Sequence, residues 1–499
     1  MHLSKSQYIR GLQCHKALWL YRHRRDLMTE PDANRLAMFA SGHEVGEIAK
    51  SLFPGGTEIE FDPGRFDAMA EQTAYLIGSG VEVIYEATFC SGDLLVMADI
   101  LVRDGEHWNF YEVKSSTRVK PYHLNDAAFQ WRVINNQIPL GKAHVVHIDN
   151  RYRLTDGLMD GLTDRLDPEQ LLKIVDVTDS VTRMQADMEQ NLQSMQAMLQ
   201  GDEPDIAIGM QCNNPFDCDF KAGCWQSVPR PSVFDLHKLS GERKFELFHQ
   251  GKMHYQDLQH LSLSPAQALQ VDTALGGEAH IEPDRLADFI RSASYPLHFL
   301  DFETLQNAVP KLSQQRPYQQ IPFQYSLHIL QRDGQLEHHE YLADEQVDPR
   351  PPLARHLLQD MQASGSILAY SQSTEIAAIN TLANACPELA ADLRMMTPRF
   401  IDLLIPFRGL MYYHPDFNGS FSIKSILPAM FPQDEEADYQ QLEIQDGRMA
   451  MSVYAGLAQI EDDAERDHTR ESLLAYCRLD TLAMVKIWQR LAGLIESSD

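Results

Sequence analysis

Carboxylates recur in this sequence at spacings that a single cation could bridge. In YPLHFLDFETL an apolar run ends in Asp301 and Glu303, which a strand would project from one face. Two carboxylates buried together repel and raise one another's pKa, so a shared divalent ion is the natural resolution. Asp-x-Glu also arises by chance in many chains and carries little weight alone. In ESLLAYCRLDTLAMVKIWQRL the apolar spacing is helical, and Tyr476 and Asp480 stand four apart on one face. That phenol and carboxylate either enter one site together or make a surface contact. Between these segments lies SILAYSQSTEIAAINTLA, an apolar run followed by a helix that Ser373 or Thr374 could cap and that carries Glu375 near its start. Ser371, Gln372 and the first free amides of that helix could meet phosphate oxygens or water.

In this order of motifs the chain, from Tyr295 onward, resembles the DEDD exonucleases of the RNase H-like superfamily, in the subclass whose last motif carries Tyr. The resemblance implies that Asp301, Glu303, Glu375 and Asp480 hold two Mg²⁺ or Mn²⁺ ions while Tyr476 orients the attacking water. The middle motif departs from the family pattern, with Ser371 and Glu375 where Asn and Asp are usual. Asp402, in RFIDLLIPF, is the competing fourth ligand. Lys424, in YYHPDFNGSFSIKSILP, either contacts a phosphate or is a solvated surface charge.

A second set lies in GDLLVMADILVRDGEHWNFYEVKSST, two β-rich runs joined by the turn dipeptide Asp104-Gly105. Asp99 comes from the first run, while Glu112 and Lys114, two apart on the second, share a face. Asp and Glu can bind a cation, and Lys can polarise water or stabilise a phosphorane. The alternative is a surface hairpin with a Glu to Lys pair. The hairpin resembles the RecB-like form of the PD-(D/E)XK nuclease core, which implies catalytic roles for Asp99, Glu112 and Lys114. Asp126 and Gln130, in LNDAAFQWRVI, match the helix that follows in that family, where a Gln contacts the site or the DNA, which implies that Gln130 joins the catalytic set. The Tyr often found four residues after that Gln is here Ile134, with Tyr152 lying later. His43, in ASGHEVGEIA, is a candidate for the family's upstream His or an ordinary helix residue.

Cys212, Cys218 and Cys224 form C-x5-C-x5-C, with Cys14 far upstream in LQCHKALW. Four thiolates can enclose an iron–sulfur cluster. One Cys near the start and three after the nuclease core resembles the iron–sulfur RecB-like nucleases, which implies a 4Fe-4S clasp on Cys14, Cys212, Cys218 and Cys224. Those nucleases space the trio C-x2-C-x5-C, so the first gap here is longer, and zinc on the same four thiolates is the alternative. Cys90, Cys386 and Cys477 read as core thiols.

These residues need scaffolds, and 499 residues exceed what one hydrophobic core usually organises. Strand-like runs and helical periods alternate in both halves, the pattern of α/β or α+β domains. With the resemblances, this predicts an α/β chain in three parts. They are a PD-(D/E)XK restriction-endonuclease-like domain with its iron–sulfur clasp over 1–228, a helical connector over 229–290, and an RNase H-like DEDD exonuclease domain over 291–499. The methionines of SVTRMQADMEQNLQSMQAML recur at helical intervals and predict a packing helix. Over nearly its whole length the chain resembles the bacterial domain-of-unknown-function 2779 family, which pairs a RecB-like with a DEDD-like domain.

The formal charge of -28 argues against a protein that coats duplexes, since non-specific phosphate affinity comes from clustered Lys and Arg. A nuclease differs, because its site holds excess carboxylates that recruit divalent cations. No stretch is apolar enough for a signal peptide or membrane span, and seven cysteines suit thiols or ligands before disulfides, so a cytoplasmic location is expected. The leading expectation is a metal-dependent nuclease with two active sites, hydrolysing DNA by two-metal chemistry at single strands or ends and trimming 3′ termini from its C-terminal domain. A nucleic-acid-binding scaffold with one or both sites inactive, and an RNA-processing exonuclease, are the alternatives.

Overall fold

In the computed structural model, which describes residues 2–155, 166–434 and 438–496, helices alternate with strands in two units. The first comprises Met1–Ser227 with Asn307–Tyr318, and the second Val228–Gln306 with Gln319–Asp499. Among the described residues no helix is long and apolar enough to cross a membrane.

The first unit runs β1 (Leu3–Ser4), α1 (Lys5–Gln13), α2 (His15–His23), α3 (Ala33–Lys50), β2 (Thr57–Glu58), α4 (Phe66–Gly78), β3 (Val83–Ser91), β4 (Leu94–Asp104), β5 (His107–Lys114), α5 (Pro121–Ile134), β6 (Leu140–Ile148) and β7 (Leu172–Asp176). Its sheet has the order β2-β3-β4-β5-β6-β7, with β1 paired to β4. Strands β3, β4 and β5 form an antiparallel meander. The β4–β5 turn closes on the Asp104–His107 pair, with Gly105 at φ +62°, a conformation that a side chain would strain. Strand β5 then runs parallel to β6, a geometry that requires a crossover, and α5 supplies it. Phe129 of α5 is fully buried in one core with Phe110 and Val145, so truncating it to Ala would cost about 3–5 kcal/mol. The methionine-bearing segment forms the helices Thr178–Arg183 and Gln185–Leu199, whose Met188 and Met195 enter the same core. Ala308 and Val309 pack with Val146 and Ile148, which is why 307–318 belongs to this unit.

In the second unit a five-stranded sheet joins β9 (Leu297–Gln306), β10 (Gln320–Leu330), β11 (Leu336–Leu342), β12 (Ser366–Ala369) and β13 (Phe400–Asp402); β8 (His280–Ile281) and β14 (Tyr412–Tyr413) pair separately. The order is β11-β10-β9-β12-β13; β9, β10 and β11 are antiparallel, and β12 is parallel to both β9 and β13. Side chains alternate across β9. Leu300 and Phe302 share a core with Leu353, Ile379 and Leu393, on helices Arg350–Asp360, Gln372–Ala385 and Ala390–Met396. Leu297 and Phe299 share another with Leu473, Met484 and Trp488 of the long C-terminal helix Asp463–Glu496. The sheet therefore lies between two helical layers. The stretch 229–290 also lies in this unit, where Val233, Leu247, Tyr255 and Val271 build a small core. Its helix Pro265–Gly276 begins with a capping box between Ser264 and Gln267.

Candidate active sites and a cysteine pocket

Strand β9 carries Asp301 and Glu303 to the face that meets the C-terminal helix, as their two-residue spacing predicts. That helix is seated by polar contacts: Gln324 Nε2 donates to Leu473 O at 2.8 Å, and Thr481 Oγ1 lies 2.7 Å from Ser326 Oγ and 2.8 Å from His328 Nδ1. Since Gln324 and Ser326 pair with Glu303 and Asp301 in the ladder, these contacts fix the helix beside the acids. Tyr476 and Asp480 thereby join Asp301, Glu303 and Lys424 around one cavity of about 250 Å³.

Glu375 lines the same cavity. Its Oε2 accepts the backbone N–H of Phe302 at 3.0 Å. Asp402 lies elsewhere in bonding terms: its Oδ1 accepts the amides of Ser371 at 2.9 Å and Leu404 at 3.0 Å, and it does not line the cavity. The helix after β12 starts at Gln372, with Ser371 rather than Ser373 or Thr374 as its boundary residue. Ser371 makes no side-chain cap bond and sits at φ +71°, an uncommon conformation for a residue with a Cβ. Its amide bond to Asp402 holds the turn that points Glu375 inward.

Four acids in one buried cavity cannot all ionise cheaply. Burial, then the Asp480 charge, pushes the Asp301 carboxyl far above its ordinary range. Burial followed by Asp301 does the same to Glu303 and Glu375. Asp480, raised chiefly by burial but relieved by a bond from Tyr439, is pushed up only to about 6. Lys424 Nζ donates to Tyr476 Oη at 3.1 Å and stands 4.9 Å from the Tyr476 ring centre and 5.1 Å from that of Tyr439. Hard carboxylate oxygens that mutually oppose ionisation are the donor set that suits Mg²⁺ or Mn²⁺.

Three neighbours of this cluster carried no sequence signal. Tyr439 Oη donates to Asp480 Oδ1 at 2.6 Å from a loop whose sequence, DYQQLEIQDG, shows no periodicity. Cys477, expected to be a plain core thiol, is buried with its Sγ 3.7 Å from Asp301 Oδ2. Gly447 opens a helix beside Glu303, where a Cβ would come 3.3 Å from Oε2.

In the first unit, Asp99, Glu112, Lys114, Asp126 and Gln130 converge. Asp99 Oδ2 accepts the amide of Val113 at 2.6 Å. Glu112 is almost wholly buried; its Oε1 accepts from Lys114 Nζ at 2.5 Å and its Oε2 from Gln130 Nε2 at 2.5 Å. Lys114 also bonds Asp126. A further cation was not legible in the sequence: Lys5 Nζ lies 2.8 Å from Glu112 Oε1 and 3.9 Å from Asp99 Oδ1. Burial, then the Glu112 charge, pushes Asp99 up to about 7. Burial alone would raise Glu112 too, yet Lys114 and Lys5 hold it well below the usual carboxylate range. Burial also raises Glu86, a β3 residue at φ +55° whose charge interacts with Lys5 and Glu112. His43 is exposed on α3, Ile134 is buried, and Tyr152 Oη accepts the amide of Asp167 at 3.3 Å.

Cys14, Cys212, Cys218 and Cys224 line one small pocket, together with Leu20 and Phe220. Cys14 follows α1, and the trio is folded back by short turns, with Cys218 N donating to Cys212 O at 2.9 Å. Burial pushes the Cys218 thiol up to about 11 and raises Cys224 as well. Four soft donors lining one pocket could hold a metal ion or cluster. Among the described residues the groups of three or more potential ligand atoms mutually within 4.8 Å are His2, Asp67, Cys90 and Asp301, Glu303, Cys477.

The fold and these clusters define a two-unit α/β protein with an acid-rich cavity in one unit and a mixed acid–lysine cluster in the other. Residues 298–422, which include Asp301, Glu303, Glu375 and Asp402, match the family described as "Domain of unknown function (DUF2779)". No curated protein and no solved structure matches the chain.

Proposed function

We propose that this protein is a metal-dependent nuclease with two active sites, acting on DNA at single strands or ends. The observation that carries the reading is the convergence of Asp301, Glu303, Glu375 and Asp480, from three separated segments, on one cavity that also presents Tyr476 and Lys424. The sequence order of these acids is that of a DEDD exonuclease, and the sheet that carries Asp301 and Glu303, covered by helices on both faces, supports an RNase H-like assignment for the second unit. The Asp99, Glu112, Lys114 and Gln130 cluster supports a RecB-like PD-(D/E)XK site in the first, and the cysteine pocket supports an iron–sulfur clasp.

Asp301, Glu303, Glu375 and Asp480 would hold Mg²⁺ or Mn²⁺, which supplies the positive charge that phosphodiester displacement demands. The remaining work falls to the chain. Tyr476 keeps its proton, because burial and then Asp480 raise its pKa, so its hydroxyl can orient water by donating or accepting. Lys424, beside that hydroxyl, can take a phosphate oxygen of the scissile strand. In the first unit Lys114, held by Glu112 and Asp126, is the group that can meet the phosphate, while Asp99 and Glu112 would hold the cation. None of the seven cysteines is joined in a disulfide, which suits a cytoplasmic location.

The test uses purified protein with end-labelled single-stranded DNA, duplex DNA and RNA, in Mg²⁺ or Mn²⁺. Asp301→Ala and Lys114→Ala should each remove part of the degradation, with DNA the better substrate. If neither substitution alters degradation, the two-site reading fails.

A further inference from the structure

The ammonium of Lys5 lies against the two carboxylates of the first unit's site, 2.8 Å from Glu112 Oε1 and 3.9 Å from Asp99 Oδ1. Those are the two oxygens that a shared cation would use. The other two are engaged, Asp99 Oδ2 by the amide of Val113 and Glu112 Oε2 by Gln130. Lys114 also reaches Glu112 Oε1, but its second partner is Asp126 rather than Asp99.

The position of Lys5 is set by backbone. Strand β1 pairs parallel to β4, with Leu3 opposite Leu94 and Ser4 opposite Leu95. Ser4 then caps α1 by accepting the amide of Gln7, so Lys5 starts the helix beside the strand that carries Asp99. Its side chain remains 26% exposed, and its flexible stem lets the ammonium swing outward.

We propose that Lys5 is a built-in counter-ion that occupies the cation seat between Asp99 and Glu112 and leaves it when a divalent ion binds. The proposal rests on the reading of Asp99 and Glu112 as metal ligands. Its logic is electrostatic. An almost fully buried Glu112 left without compensating charge would be strongly destabilising. An ammonium and a divalent ion, however, cannot both sit within bonding distance of the same oxygens without severe repulsion. Lys5 therefore stabilises the ion-free fold at the expense of ion affinity. A seat held by the ammonium nine-tenths of the time weakens apparent ion affinity about tenfold. The site would then respond to the free concentration of divalent ion rather than remain loaded.

The test uses the full chain with Asp301→Asn, which weakens ion binding in the second unit, and Mn²⁺ as the probe. Adding Lys5→Met should tighten Mn²⁺ binding by about tenfold in a calorimetric or paramagnetic titration. Without Lys5→Met, acetylation of the Lys5 amine, read by mass spectrometry, should rise several-fold at saturating Mn²⁺. Unchanged or weaker Mn²⁺ affinity in Lys5→Met overturns the proposal. So does Lys5 labelling that ignores Mn²⁺, and this readout stands even if Lys5→Met fails to fold. Asp99→Asn separates the two levels. Mn²⁺ binding that survives Asp99→Asn overturns the metal-ligand reading itself, whereas binding lost there but indifferent to Lys5→Met overturns only the role of Lys5.

Discussion

The Glu375 side chain accepts the backbone amide of Phe302, the residue between Asp301 and Glu303, at 3.0 Å. This bond ties the helix after β12 to the strand that carries the other acids. It also leaves the second Glu375 oxygen free to act in the cavity, while Asp402 is engaged by two amides of its own turn.

Glu375→Gln, which retains an acceptor for Phe302, should therefore fold and lose Mn²⁺ affinity and nuclease activity on the order of 10–100-fold. Asp402→Asn should instead cost about 1–3 kcal/mol of stability and leave Mn²⁺ affinity unchanged. Titration of Mn²⁺ into both variants decides the matter, and the opposite pattern would make Asp402 the ligand.

The acid cluster gives the ion-free protein an inverted pH dependence. A carboxyl with a raised folded pKa binds its proton more tightly folded than unfolded, so its contribution to stability is complete below the unfolded pKa and is lost as pH rises through the folded one. For Asp480 that window runs from the ordinary carboxylate range to about 6, and for Asp301, Glu303 and Glu375 it extends higher. In chelator, chemical unfolding should show stability falling across this range, by up to about 3 kcal/mol for Asp480. Asp480→Asn should flatten the fall, and Mg²⁺ should restore stability at neutral pH. A stability that rises over the same window in chelator would contradict the buried-acid geometry.

Two tyrosines should separate by kinetics. Tyr476 lines the cavity and accepts from Lys424 as well as interacting with Asp480, whereas Tyr439 does not line the cavity and reaches it only by donating to Asp480 Oδ1. Tyr476→Phe should lower kcat on the order of 100-fold with Mn²⁺ affinity retained. Tyr439→Phe should weaken Mn²⁺ binding about tenfold by freeing Asp480. Equal effects on both quantities in both variants would mean that the two phenols are not distinguished in this way.

The cysteine pocket should carry colour. Anaerobically prepared protein is expected to be brown, with broad visible absorption and iron in stoichiometric amounts. Cys212→Ser should bleach it and expose the first unit to proteolysis, because a centre joining Cys14 to Cys212, Cys218 and Cys224 closes that unit. Colourless protein with stoichiometric zinc would refute the cluster.

Local periodicity alone was enough to determine several relationships. Asp301 and Glu303 share a face because strands repeat every two residues, and Tyr476 and Asp480 share one because helices repeat near every four. The Asp104-Gly105 turn was legible because few residues tolerate positive φ. Whether Glu375 or Asp402 enters the cavity depended on which carboxylate the Ser371 turn engages, and that follows from β13 lying beside β12. Lys5 and Tyr439 reach their carboxylates across 107 and 41 residues of sequence, through strand pairing and loop packing that no short-range pattern encodes. The approach of four cysteines to one pocket likewise required the fold. Spacing along a chain sets which side chains point the same way; only the closure of distant segments around a shared core sets which of them meet.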